Sequence, residues 1–245
     1  MHVARIGIAI SLALLTLVAR AGDAPVDPSL ILKQSDRARG GGLLGIEWTI
    51  KATSSDSTEE RELLVKAVRD ASVAETVTPV RFKGSKLLQV NKNMWMTRPS
   101  LHKPIPISPR QRMTGQASNG DIAATNYAGE YAGTILKTES VGGEECYVLD
   151  LTATNKQTTY DKIRYWIAKS RMVGVKAEFY SLSNQLLKTA VFEYKNEIQS
   201  DGRKYPFVSK MTIKDAFAGG ETVLTYSDVR VRPIPTSEFE VGSLN

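Results

Sequence analysis

The sequence has 245 residues, of which 42% are hydrophobic and 24% are charged, and its formal net charge is +6. This length allows a sizeable hydrophobic core. The modest positive charge suits an anionic lipid surface and gives only weak support to a nucleic-acid partner, so we expect none. Cys146 is the single cysteine, which excludes an intramolecular disulfide.

The N-terminal segment has the pattern of a secretory signal. Arg5 precedes an apolar run from residue 6 to residue 18, and Ala19-Arg20-Ala21 supplies the small-x-small pattern of a signal-peptidase site. The apolar run is short for a membrane span. We therefore predict a cleaved signal peptide over residues 1–21, with cleavage after Ala24 as the alternative.

The product of that cleavage would be a soluble protein of the bacterial periplasm. No cysteine near the cleavage site is available for lipidation. Removing two arginines and no acid lowers the formal net charge from +6 to about +4. We expect residues 22–245 to form a single domain and the protein to be a monomer.

The first predicted element is a short helix over residues 28–38. Asp27-Pro28 provides an N-cap followed by proline at the first helical position, and Gly40-Gly41-Gly42 ends the helix. After it, apolar residues alternate from Leu44 to Ala52, which predicts a strand. Further predicted strands cover residues 61–69, 72–82, 85–92, 94–97, 131–140, 144–153, 162–168, 172–180, 186–198, 205–215 and 221–231.

Short turns separate many of these strands. Gly142-Gly143, Ser183-Asn184, Asp201-Gly202 and Gly219-Gly220 stand where hairpin turns are needed. Strands joined in sequence by short turns predict an antiparallel meander, which at this length curls into a barrel or half-barrel. The fold class is therefore mainly β with a few helices.

Residues 104–130 interrupt the meander. Pro104, Pro106 and Pro109 precede a segment in which Ser118 or Asn119 could cap one or two helical turns, over about residues 118–125. A long, proline-rich excursion between strands often forms a lid or binding element. The alternative is a surface loop without a function.

Several strands look apolar on both faces, which raises the question of a cavity. If the sheet half-closes over the helices, the large apolar side chains of its concave face line a cavity, and if it collapses fully they form a core. The sequence does not separate these cases. Tyr147, Leu151, Val173 and Val175 would share that face with Leu149, Trp166 and Phe179. The candidate cavity residues are Trp48, Ile50, Met94, Trp95, Met96, Leu149, Trp166 and Phe179.

A second candidate surface follows from charge. Residues 76–120 contain no Asp or Glu and carry several basic side chains around the Met94-Trp95-Met96 block. Large, polarizable apolar side chains among uncompensated positive charges suit a partner that is both hydrophobic and anionic. The alternative is a core strand flanked by solvated charges. The candidates for contact with a lipid head group or a partner are Arg98, Lys103, Arg110 and Arg112.

Enzymatic activity has little support in the sequence. Beyond the predicted signal the chain has one histidine, His102, and one cysteine, so His-based triads and zinc sites rich in His or Cys are nearly excluded. No G-x-S-x-G elbow or P-loop is present. Ser100 and Lys103 match S-x-x-K but are flanked by prolines. We predict no catalytic residue, no metal site and no cofactor.

Several motifs follow the short N-terminal helix and the start of the meander in a fixed order. They are Lys83-Gly84-Ser85-Lys86-Leu87-Leu88, Asn93-Met94-Trp95-Met96 with Pro99, Ser108-x-x-Gln111-Arg112-Met113, and Asp121. In this order the chain resembles the outer-membrane lipoprotein-sorting proteins of Gram-negative bacteria, in the branch related to the carrier LolA and the receptor LolB. The resemblance covers residues 27–242, although Thr97 stands where an aromatic residue is expected.

That resemblance implies an unclosed antiparallel β-barrel of about ten or eleven strands with helices as a lid. Its apolar cavity would hold acyl chains of lipids or lipoproteins and help move them toward the outer membrane. Partners could include an inner-membrane transporter or an outer-membrane acceptor. The alternative is a periplasmic sensor of the same fold that binds a hydrophobic ligand and a protein partner. Such sensors carry a second C-terminal domain, and this chain ends at Asn245, soon after Pro233-Ile-Pro235, which favours a carrier.

Overall fold

A computed structural model describes residues 26–244, apart from residues 102 and 218. The predicted signal peptide, residues 1–21, lies outside the described residues. Within the described part of the chain, no helix has the length and apolar character needed to cross a membrane.

The first helix, α1, covers Pro28–Arg37. The Asp27 side chain accepts a hydrogen bond from the Ser29 amide at 2.9 Å, and Pro28 occupies the first helical position, so the predicted capping is confirmed. Gly40 and Gly42 follow with positive φ angles of 97° and 72°, a backbone conformation that glycine adopts without steric cost. The predicted end of the helix is therefore confirmed.

Seventeen strands follow among the described residues, and all pairings are antiparallel. Thirteen form one sheet in the order β6-β5-β4-β3-β2-β1-β17-β16-β13-β12-β11-β10-β9. The two edge strands, β6 and β9, do not pair with each other, so the sheet is an unclosed barrel, as predicted. The bounds are β1 Ile46–Ser54, β2 Ser57–Val68, β3 Ala71–Thr78, β4 Lys86–Val90, β5 Asn93–Thr97, β6 Ile105–Ile107, β7 Arg112–Thr114, β8 Ala117–Ser118, β9 Tyr131–Val141, β10 Glu144–Ala153, β11 Lys162–Ala168, β12 Val173–Tyr180, β13 Leu186–Glu193, β14 Asn196–Ser200, β15 Arg203–Phe207, β16 Lys210–Asp215 and β17 Glu221–Val231.

The predicted hairpin turns are present. Gly142 and Gly143 both have positive φ, as do Asp201 and Gly202, which matches the tight turns that connect twisted antiparallel strands. The predicted strands over residues 186–198 and 205–215 are each divided in two. The reason is that the β14-β15 hairpin leaves the main sheet between β13 and β16. Phe207 at its end packs edge-on against Trp48, with ring centroids 5.5 Å apart.

Residues 104–130, which we call the strap, cross the concave face of the sheet. Besides β6, β7 and β8, the strap contains two short helices, α2 at Asn119–Ala123 and α3 at Tyr127–Glu130. Ala117, Ile122 and Ala123 are buried in the same apolar cluster as α1 and the concave face. The predicted helical excursion is confirmed, and it closes the concave side of the half-barrel.

The opposite face is covered near β4 and β5 by the C-terminal segment. Two 3-10 helices, Thr236–Phe239 and Val241–Leu244, follow the last strand. Phe239 and Leu244 are buried with Leu88, and Trp95 packs against this cluster. Because side chains alternate along a strand, Met94 and Met96 face the concave side while Trp95 faces the C-terminal segment.

Candidate functional site

A groove opens between strands β3 to β6 and the part of the strap that follows β6. Its volume is about 380 Å³, within the range of about 300–1,000 Å³ usual for small-molecule sites. The apolar part of its lining consists of Ala74, Phe82, Leu87, Met96, Ile107 and Met113. The polar part consists of Arg61, Thr76, Ser85, Lys86, Arg98, Gln111, Arg112 and Asn119.

The register of three strands builds the apolar floor of the groove. Ala74 pairs with Leu87 across β3 and β4, and Leu87 pairs with Met96 across β4 and β5. Directly opposed residues project to the same face, so these three side chains form a continuous row. Ile107 and Met113 line the groove from the strap side. The groove is therefore an apolar slot between sheet and strap.

Arginines surround an aromatic ring at one end of this slot. The guanidinium carbons of Arg61, Arg81 and Arg98 lie 4.6, 5.0 and 5.9 Å from the centroid of the Phe82 ring. Cations within about 6 Å of an aromatic face are attracted to it. Glu59 forms ion pairs with Arg81 and, at 3.7 Å, with Arg61. The end of the slot thus has more positive than negative groups.

Two of the four predicted head-group residues are compensated by acids from elsewhere in the chain. Arg110 pairs with Asp161 at 2.7 Å, and Arg112 pairs with Asp215 at 3.3 Å. The arginine beside it lowers the pKa of the Asp161 carboxyl. The expectation of uncompensated charge is wrong for these two residues, because folding brings distant carboxylates to them. Arg98 lines the groove, and Lys103 is exposed outside it.

A buried polar cluster fixes the centre of the strap to the sheet. Lys188 of β13 donates hydrogen bonds to the Gln116 carbonyl at 2.5 Å and to Ser118 Oγ at 2.8 Å. Asp121 accepts hydrogen bonds from the Ser118 amide and from the Tyr160 hydroxyl, both at 2.8 Å. Burial lowers the pKa of Lys188, and the nearby Asp121 partly opposes this. These bonds hold the start of α2 against the concave face.

A second buried cluster joins α1 to the end of the strap. Asp36 accepts a hydrogen bond from the Ala128 amide at 2.8 Å, and Glu130 accepts one from Gln89 at 2.7 Å. Burial raises the pKa of Asp36 and of Glu130 to about 7, and Arg39 opposes the shift at both carboxyls. Two carboxyls that titrate near neutrality therefore lie where the strap meets α1.

The structure divides the predicted cavity residues among four places. Met96 lines the groove. Met94 joins the main core cluster together with Trp48, Ile50, Leu149 and Phe179. Phe179 is fully buried and stacks on Tyr160 with ring centroids 4.0 Å apart.

Trp95 and Trp166 lie apart from that core. Trp166 pairs with Val148 while Leu149 pairs with Tyr165, so Trp166 faces the opposite side of the sheet from Leu149. A register shift in β12 places Val173 and Val175 with Trp166 in a second cluster. The single concave face predicted for these three residues is therefore wrong. Trp166 faces away from Leu149 by the ordinary alternation of β11, and the shift brings Val173 and Val175 to the same side as Trp166.

Sequence reasoning missed Arg61, Phe82 and Ser85 in the groove, and Arg39 between α1 and the strap. Arg61 lies in an entirely polar run, residues 57–62, which is typical of a solvent-facing segment. The signal for Arg39 was weak, since an arginine beside three glycines reads as a helix-terminal charge. Among the residues that the structure describes, no group of three His, Cys, Asp or Glu could hold a metal ion.

The comparisons agree with this architecture. A LolA superfamily protein of Nitrosomonas europaea is 32% identical, with 88% of this chain and 98% of that chain covered and a TM-score of 0.75. A putative outer membrane lipoprotein-sorting protein domain of Vibrio parahaemolyticus is 24% identical, with 88% and 97% covered and a TM-score of 0.74. A DUF1329 family protein of Desulfovibrio piger is 21% identical, with 90% and 100% covered and a TM-score of 0.72.

The Vibrio and Desulfovibrio structures show a shared fold. A family model described as an uncharacterized protein matches residues 69–245. No curated protein matches the chain. The identity and coverage of the Nitrosomonas relative, together with the unclosed antiparallel sheet and its strap, show that the chain belongs to the LolA superfamily.

Proposed function

We propose that the protein is a periplasmic carrier that binds acyl chains of lipids or lipoproteins and helps move them toward the outer membrane. The observation that carries this proposal is the groove, where Leu87, Met96 and Met113 form an apolar slot beneath the strap. A signal peptide over residues 1–21 and a single domain over residues 22–245 belong to the same proposal. An inner-membrane transporter or an outer-membrane acceptor would be the exchange partner.

The energetics of transfer favour such a site. Each methylene that leaves water gains about 0.8 kcal/mol, so a sixteen-carbon chain resists passage through water by on the order of 12 kcal/mol. A protein with an apolar slot removes this barrier by binding alone. The proposed role is therefore binding and exchange and requires no catalytic group.

The strap provides a way to enlarge the site. In this structure the side chains of Trp48, Ile50, Leu149 and Phe179 are packed in the core under the strap and α1. Withdrawal of the strap would expose them as the wall of a wider cavity, continuous with Met96. The two buried polar clusters are the contacts that such a movement would break.

A binding titration with a fluorescent fatty acid tests the proposal. Met96→Asp places a charge in the groove at a half-buried position, so it should abolish binding while the melting temperature changes little. Leu136→Asp is the matched control, because Leu136 is 49% exposed on edge strand β9. Failure of the wild type to bind, or unchanged binding by Met96→Asp, would contradict the assignment of the groove.

A further inference from the structure

The groove contains positive charge that the protein itself does not neutralise. Arg61, Lys86, Arg98 and Arg112 line it, and no Asp or Glu is among its described lining residues. Arg112 is paired with Asp215. Lys86 and Arg98 have no carboxylate partner among the residues that the structure describes.

Arg61 is incompletely satisfied within the fold. Its Nε is buried and has no hydrogen-bond partner, since Glu59 Oε1 lies 3.7 Å away and Glu59 Oε2 is bound by Arg81. Burial and the nearby charge of Arg98 lower the pKa of Arg61. A buried donor that lacks an acceptor is destabilising. A bound anion would supply the missing acceptor.

Phe82 lies beside two of the arginines that line the groove, Arg61 and Arg98. Their guanidinium carbons lie 4.6 and 5.9 Å from the centroid of its ring, which limits the freedom of both side chains. Ser85 also lines the groove, and its Oγ is buried without a hydrogen-bond partner. Guanidinium groups held near each other with a free hydroxyl match the oxygens of a phosphate or carboxylate.

The structure points to an anionic amphiphile as the ligand. We propose that its phosphate or carboxylate binds between Arg61 and Arg98 beside Phe82, and that its acyl chain follows Leu87 and Met96. This inference rests on the proposed carrier function and adds the chemistry of the head group. It also gives the carrier a selectivity, because an uncharged lipid would leave Arg98 without an anionic partner and the Arg61 Nε without an acceptor.

The experiment compares ligands that share one chain and differ in the head group. Hexadecyl phosphate and hexadecanoate are the anionic probes, monohexadecanoylglycerol is the uncharged probe, and inorganic phosphate is the head group alone. Affinities are measured by displacement of a fluorescent fatty-acid analogue and by calorimetry for wild type, Arg98→Gln and the double variant Arg61→Gln with Arg98→Gln. Arg203→Gln is the matched control, because Arg203 is exposed on the β14-β15 hairpin.

We expect the wild type to prefer the anionic amphiphiles, and each lost arginine to weaken their binding by on the order of tenfold. The affinity for monohexadecanoylglycerol should stay unchanged in every variant, which shows that the variants are folded. The control should behave as wild type. Raising the salt concentration should reduce the preference of the wild type, since salt screens charge–charge attraction.

The possible failures are distinguishable. Equal affinity of the wild type for charged and uncharged amphiphiles would overturn the head-group inference and leave the carrier proposal standing. Binding of inorganic phosphate as tightly as hexadecyl phosphate would also overturn it, because the acyl chain would then contribute nothing. A wild type that binds none of the amphiphiles would contradict the carrier function itself.

Discussion

Arg39 and Ala124 connect the first helix region to the strap. Arg39 is 7% exposed, and its Nη2 donates a hydrogen bond to the Ala124 carbonyl oxygen at 3.3 Å. Its guanidinium carbon lies 4.2 Å from the centroid of the Tyr127 ring, so the same side chain also contacts α3. A single buried arginine therefore holds both strap helices against the segment that follows α1.

Arg39→Leu should loosen the strap. The substitution removes the bond to Ala124 and leaves the Asp36 carboxyl without its nearby positive charge. We expect faster amide exchange in residues 119–126 and a loss of about 1–3 kcal/mol in the free energy of unfolding. Hydrogen-exchange mass spectrometry checks this, with Lys33→Ala on the exposed face of α1 as the control. Unchanged exchange in the strap would show that Arg39 does not hold it.

The stability should depend on pH through Asp36 and Glu130. Burial raises the pKa of each carboxyl to about 7, and the charge of Arg39 opposes the shift at both. At Asp36 the charge of Glu130 raises the pKa further. At Glu130 the hydrogen bond from Gln89 and the charge of Lys92 lower the pKa. Each carboxyl thus binds its proton more tightly in the folded state. Its contribution is fully present below the ordinary pKa near 4 and is lost as the pH rises through about 7.

Chemical denaturation between pH 5 and pH 8.5 measures that loss. We expect the free energy of unfolding of the wild type to fall across this range. Asp36→Asn should flatten the fall, because the amide does not titrate. A pH profile of Asp36→Asn that is as steep as that of the wild type would assign the dependence to other groups.

Lys188 and Asp121 should behave as a coupled pair. Their charged atoms are 3.9 Å apart, and Lys188 and Asp121 side chains are 10% and 1% exposed. Removing one member of a buried pair costs about 3–5 kcal/mol, because the other is left uncompensated. Lys188→Met and Asp121→Asn should each destabilise strongly, and the double variant should cost less than the sum. Strictly additive losses in urea denaturation would show that the two residues act independently.

Gly120 should not tolerate a side chain. A Cβ at this position would lie 1.8 Å from Thr159 Oγ1, which is buried and has no hydrogen-bond partner. Gly120→Ala should therefore lower the free energy of unfolding by about 1–3 kcal/mol. Adding Thr159→Ala should restore much of it. Gly242→Ala is the control, since a Cβ there meets nothing within 4 Å; an equal loss in both glycine variants would refute the steric explanation.

The mass of the mature protein tests the predicted signal peptide. We expect cleavage after Ala21, so that the mature chain begins at Gly22, because Ala19-Arg20-Ala21 fits the signal-peptidase pattern. Intact mass measurement of protein recovered from a periplasmic extract decides between this site and cleavage after Ala24. A full-length mass in that fraction would contradict both.

Much of the fold could be predicted from the sequence, because strands, helix ends and turns are each indicated by neighbouring residues. Alternating polarity predicts strands such as β1, Asp27-Pro28 predicts the start of α1, and Gly142-Gly143 predicts a hairpin. The candidate site was less predictable, because its decisive contacts join distant residues. Arg110 meets Asp161, and Arg112 meets Asp215, across 51 and 103 positions of sequence.

The register of strand pairing also limited the prediction of which face of the sheet each side chain occupies. Val173 and Val175 lie at a shift in the pairing of β11 with β12, and a shift of one residue turns the side chains beyond it to the other face. The place of Arg61 in the groove was also not predictable from the sequence, because its contact with Phe82 depends on how the residues after β3 fold back. The sequence identified Met96, Arg98 and Arg112 as site candidates, and the structure places all three in the groove.

Native mass spectrometry of the protein purified from its native cells tests acyl-chain binding most directly. We expect adducts with the mass of acyl-containing lipids, a predominance of anionic head groups among them, and loss of the adducts in Met96→Asp but not in Leu136→Asp. A protein that carries no lipid, and that also fails to bind fluorescent fatty acids after purification, would contradict the proposed binding of acyl chains.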